Sequence, residues 1–68
     1  MSVYKFIELA GTSAESWEKA AAAAVETASK SLRELRVAEV VEMDVTIENG
    51  KIAQYRTKLR LSFKYEGH

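Results

Sequence analysis

Sixty-eight residues with ten basic and ten acidic side chains, no cysteine and no proline set narrow limits on this chain. The length suits a single domain, 1–68, with a thin core; disulfides and thiolate zinc sites are excluded, so self-association is the remaining route to extra stability. The charge balance directs the chain to neither nucleic acid nor membrane, and the opening MSVYKFIEL has no signal-peptide character, which reads as a soluble cytoplasmic protein.

The first predicted element is a strand from Val3 to Ala10, rich in β-branched and aromatic residues, which Gly11 is expected to break. Thr12 and Glu15 have capping-box spacing, with Ser13 as the rival cap, and a helix is predicted from there to about Glu34. Trp17, Ala20, Ala21, Ala24, Val25, Ala28, Leu32 and Leu35 recur at spacings of three and four and make one apolar stripe. Glu15–Lys19 and Glu26–Lys30 set acid before base on the exposed side. Because half of the stripe is alanine, it lets a sheet come close but buries little area.

A second strand is predicted from Arg36 to Ile47, with Val37, Val41, Met43, Val45 and Ile47 on one side and Glu39 interrupting them. Asn49-Gly50 marks a hairpin. A two-residue loop would set Val45 opposite Gln54 and throw the apolar faces out of phase. A three-residue loop, Glu48-Asn49-Gly50, pairs Ile47 with Lys51, Val45 with Ala53, Met43 with Tyr55 and Val37 with Leu61, and is the register expected here. It also sets Glu42 opposite Arg56, a favourable cross-strand pair.

The third strand alternates in the stretch YRTKLRLSFKY: Tyr55, Thr57, Leu59, Leu61, Phe63 and Tyr65 face one way, and Arg56, Lys58, Arg60, Ser62 and Lys64 the other. Counted from Lys51 to Tyr65 it is fifteen residues, roughly 50 Å at about 3.3 Å per residue. A compact chain of this length has a radius of gyration of only about 11 Å. The strands must overhang the helix. Laid antiparallel beside the third strand, the first completes a three-stranded sheet of order 1-3-2 in an α+β fold of β-α-β-β connectivity.

No catalytic constellation is present. The single histidine is His68, the final residue, read as a frayed tail, and the chain has neither a P-loop nor a GxGxxG nor an HExxH motif, so the reading is a non-enzyme. Glu42 and Asp44 share a strand face and, with Glu39, are candidate oxygen donors to a hard cation; a solvated face balanced by Arg56 and Lys58 is the alternative. A nucleic-acid platform is rejected because Tyr55, Phe63 and Tyr65 lie opposite the Arg/Lys row.

The β-α-β-β order, Gly11-Thr12-Ser13 after the first strand, Ser16-Trp17-Glu18 in the helix, Ala38-Glu39-Val40 in strand two and the closing Ser62-Phe63 together resemble the dodecin family over essentially the whole chain. The resemblance implies a three-stranded sheet curled on one helix, assembled as a hollow homododecamer of 23 symmetry. It implies a flavin of the riboflavin or FMN type, stored or buffered between subunits, with Val37, Arg56, Glu42 and Arg36 at the cofactor-binding positions. Two of these depart from the family pattern: Val37 stands where the stacking tryptophan belongs and Arg56 where a glutamine holds the ring edge. Trp17, on the helix stripe, reads as core rather than as a replacement. Some dodecin-like proteins are described as binding calcium, so a flavin-poor branch with Ca2+ on Glu42, Asp44 and Glu39 is the second reading. A purely structural shell is the third.

Overall fold

The computed structural model describes residues 2–65, so His68 lies outside the described residues. The chain folds as β1 (Tyr4–Ser13), α1 (Trp17–Ser29), β2 (Leu35–Glu48) and β3 (Lys51–Lys64). All strand pairs are antiparallel and the order is β1-β3-β2, as the alternation of the third strand requires.

Gly11 does not end β1; it pairs with Thr57 in mid-strand. Its role is steric. A Cβ there would stand 2.0 Å from the carbonyl oxygen of Ala20, so only glycine lets α1 cross β1 this closely. The helix cap is Ser16 rather than Thr12 or Ser13: its hydroxyl accepts from the Lys19 amide at 3.0 Å, while the Ser13 hydroxyl accepts from the Glu15 amide in the preceding turn. Glu15 pairs with Lys19 as its spacing predicts. The helix ends at Ser29, earlier than Glu34. Leu32 and Leu35 continue the apolar stripe only in one-dimensional spacing, because the chain turns at Lys30 and Ser31 and carries both leucines onto the core by another route.

The hairpin is a two-residue turn, with Glu48 opposite Lys51 and Asn49 and Gly50 at φ 52° and 74°. The three-residue register is therefore wrong, and so are the pairs drawn from it. Bulges restore the phase instead. One between Thr46 and Ile47 leaves Ala53 unpaired and brings Val45 opposite Tyr55; a second absorbs Val41, between Val40 and Glu42. Arg56 consequently faces Asp44, Lys58 faces Glu42, and Val37 faces Ser62. Val37 leaves the apolar set and joins the charged side. Val40 and Ala38 move to the helix side, opposite the buried Leu59 and Leu61.

The core is small: Ala24 and Ala28 from the helix meet Leu59 and Leu61 of β3, with Ile7, Leu9 and Leu35 at its edge, and Ala20 is buried against Gly11. The buried Thr57 hydroxyl donates to the Trp17 carbonyl at 2.9 Å. Trp17 in turn donates from Nε1 to the Asp44 carbonyl at 3.0 Å and stacks edge-on against Tyr55, with centroids 5.0 Å apart. It is a half-buried structural clip between helix and sheet, beside the core rather than in it.

A 13-residue helix is only about 20 Å long, whereas each 14-residue strand runs about 46 Å. The molecule measures 51 × 19 × 16 Å with a radius of gyration of 14.0 Å. The helix lies across β1 and β3 and barely reaches β2. The helix side of β2 is therefore bare, with Val40 52% and Met43 57% exposed.

Candidate functional site

On the side away from the helix, alternate residues of β3 raise a basic row, Arg56, Lys58 and Arg60, through the middle of the sheet. Acids from both neighbouring strands flank it. Asp44 stands opposite Arg56, Glu42 opposite Lys58, and Glu39 opposite Arg60 on β2; Glu8 stands opposite Arg60 on β1. The Val41 bulge is what keeps Glu39 on the same side as Glu42 and Asp44, which strict alternation would not do.

These pairs differ in tightness. Arg56 clamps Asp44 with two parallel bonds, Nε to Oδ1 and Nη2 to Oδ2, each 2.7 Å. Arg60 donates from both Nε and Nη2 to Oε2 of Glu8, at 3.2 and 2.9 Å, and Lys58 adds its charge at 3.7 Å. The hydrogen bonds from Arg56 hold the Asp44 carboxyl below the ordinary carboxylate range, and Asp44 in turn raises the Arg56 guanidinium. The hydrogen bond from Arg60, then the charge of Lys58, lowers Glu8 likewise. Glu39 and Glu42 are held only loosely, at 3.5 Å from Arg60 and 4.0 Å from Lys58, with side chains 62% and 64% exposed.

Of the residues assigned to a cofactor, Arg56 and Glu42 share a notch of about 220 Å³ with Ala10, Asp44 and Lys58. Val37 and Arg36 do not reach it. Val37 pairs with Ser62, six residues along β3 from Arg56, or roughly 20 Å at about 3.3 Å per residue. Arg36 pairs with Glu34 at 3.0 Å and lines a separate hollow with Tyr4 and Lys64. Of the metal candidates, Glu42 and Asp44 meet in the notch while Glu39 lies beyond it; among the described residues no three acids or histidines converge at metal-binding distance. The predicted residues are thus divided between separate hollows.

Sequence reading missed Phe6. Its pairing with Ser62 places it in the same row as Val37, on the charged side, with 60% of its surface exposed. The pairing of the first and third strands carried that signal, since residues 4, 6 and 8 alternate away from the apolar Ile7 and Leu9.

Comparison with known proteins adds the following. Residues 3–66 match the sequence profile of the Dodecin family. The chain is 50% identical over 64 residues to the calcium dodecin of Mycobacterium tuberculosis, covering 94% of this chain and 90% of that one. It is 42% identical over 64 residues to the dodecin of Thermus thermophilus, covering 94% and 93%. The crystal structure of the M. tuberculosis protein, described as a calcium-chelating antigen with a novel calcium-binding site, superposes with a TM-score of 0.85 at 52% identity over 96% of this chain and 93% of that one. Dodecin from Streptomyces coelicolor superposes with a TM-score of 0.93 at 34% identity, over 98% and 96%. Among the described residues, no helix is long and apolar enough to cross a membrane.

Proposed function

The chain belongs to the dodecin family, and from that premise we propose that it is a non-catalytic homododecamer that takes up calcium between its subunits. The observation that carries this reading is the pair of loosely held, outward-facing carboxylates, Glu39 and Glu42. Calcium takes six to eight oxygen ligands, more than the four oxygens of these two loosely held carboxylates, so copies related by symmetry would pool their acids. Asp44, already clamped by Arg56, would be the last of the three to contribute. The resemblance to a calcium dodecin supports the same reading.

Flavin is the second reading, favoured by the exposed Phe6 ring, across Ser62 from Val37, which offers a π face in the row where the family's tryptophan is missing. Against it, Val37 has no ring, and Arg56, on the position of the family's glutamine, offers only donors and is already engaged. The 220 Å³ notch also falls below the roughly 300–1,000 Å³ that enclose an organic ligand.

The test is calorimetric titration of the assembled protein with calcium, then with FMN. Calcium binding that falls at least tenfold in Glu42→Gln, with assembly intact, is the expected result. Calcium binding unchanged in both Glu39→Gln and Glu42→Gln would refute the assignment. FMN fluorescence quenching by the unmodified protein that Phe6→Leu abolishes would transfer the function to flavin.

A further inference from the structure

We propose that Asn49 is a site of spontaneous covalent modification, at which loss of ammonia turns the β2–β3 loop into an isoaspartate-linked one. The inference goes beyond the ligand reading above and needs neither a cation nor a flavin. A side-chain amide is most open to attack by the next backbone nitrogen when that residue is glycine, which carries no Cβ to hinder the approach. Asn49-Gly50 is such a pair, exposed at the tip of the hairpin. A Cβ placed at Gly50 would meet nothing within 4 Å beyond its chain neighbours, so no packed group walls the reaction off. The ladder bonds that close a two-residue turn belong to the flanking residues, here Glu48 and Lys51. Among the described residues the Gly50 amide donates to no backbone acceptor. That nitrogen is therefore free to lose its proton, and loop tips reorient at little energetic cost.

The reaction balances with water as its only co-reactant. The deprotonated Gly50 nitrogen attacks Cγ of Asn49 and forms the new N–Cγ bond of a cyclic imide. The side-chain nitrogen leaves as ammonia, carrying the proton away. Water then opens the ring at either carbonyl, its hydroxyl going to carbon and its proton to nitrogen. Breaking the N–Cγ bond leaves aspartate. Breaking the bond from the Gly50 nitrogen to the Asn49 main-chain carbonyl leaves isoaspartate, with the backbone rerouted through Cβ and Cγ. That route adds one carbon to a turn closed by two residues at φ 52° and 74°. The Glu48–Lys51 pairing, which the turn length sets, should loosen as a result.

The composition leaves one candidate position. Asn49 is the chain's single asparagine and Asp44 its single aspartate. Asp44 could form the same imide, but it precedes the β-branched Val45 and its carboxylate is clamped by Arg56. The protein as purified is held in mildly alkaline buffer, which deprotonates more of the attacking amide, and sampled over time. Peptide mass mapping follows conversion of amide to acid, and an isoaspartate-specific methyltransferase counts the rerouted linkages. Growth of both signals at residue 49, and of neither in Asn49→Gly, is the expected result. Glycine suits the same turn but has no side-chain amide to lose. The isoaspartate fraction should also show about fivefold faster hydrogen exchange at Glu48 and Lys51, the effect of one weakened ladder bond. No conversion in the protein, while a synthetic peptide of residues 46–53 converts in the same buffer, would show that the fold shields the turn and overturn the site. Conversion to aspartate alone, with exchange unchanged, would overturn the rerouted turn. Methyl transfer that persists in Asn49→Gly would move the chemistry to Asp44 and overturn the assignment. Calcium binding, found or not found, bears on none of these outcomes.

Discussion

Two backbone positions show how local geometry constrains this chain. At Gly11 the obstacle is the Ala20 carbonyl, which a methyl group would meet at 2.0 Å. Gly11→Ala is expected to destabilise the fold by about 2–3 kcal/mol, through forced separation of α1 from β1. Guanidinium unfolding at fixed protein concentration measures it, and a loss under about 0.5 kcal/mol would show that the helix shifts freely. At Glu34 the strain is torsional: φ is 62° in a residue with a long side chain, where the chain leaves the helix for β2. Asparagine tolerates that conformation, so Glu34→Asn should raise stability by about 0.5–1 kcal/mol even though it gives up the exposed pair with Arg36. Unchanged or lowered stability in the same assay would mean the Glu34–Arg36 pair outweighs the torsional relief.

At the scale of elements, α1 depends on its ends more than on its stripe, because alanines bury little area. Ser16→Ala removes the acceptor for the Lys19 amide and should cost about 1 kcal/mol in the same unfolding measurement; no loss would transfer the capping role to another group. The sequence also explains which elements could be foreseen. Strand β3 was legible because its alternation is unbroken, and the order of the sheet followed from it. Strand β2 was not, because alternation assumes one residue per pairing step, and the extra residues at Val41 and Ala53 violate that assumption without any marker in their side chains. The same two bulges explain why the site was only half legible: Glu42, Asp44 and the bases fall on one side as expected, but Glu39 joins them only through the Val41 bulge, and Arg56 finds Asp44 rather than Glu42. What would lie next to that face in the proposed assembly has no local signal at all, since it depends on where other copies stand.

For the whole molecule, the ion pairs of the charged side set the response to pH. Asp44 and Glu8 have depressed pKa values when folded, so their contribution is present above the ordinary carboxylate range and is lost as pH falls through the folded values. The thermal midpoint should therefore hold steady near neutrality and fall below about pH 4. The fall should be shallower at about 1 M salt, because these pairs are exposed and screened. Differential scanning fluorimetry across pH, with and without salt, reads both effects; an unchanged midpoint down to about pH 3 would show that the pairs contribute nothing to stability.

The 51 Å length of so light a chain also governs how it travels. A rod nearly three times longer than it is wide meets more friction than a sphere of equal mass, so a lone subunit would leave a gel-filtration column early and resemble a larger protein. A shell of many such rods is round and would elute close to its true size. Elution volume thus exaggerates the lone subunit and reports the closed shell faithfully, so the number of chains has to come from light scattering or native mass.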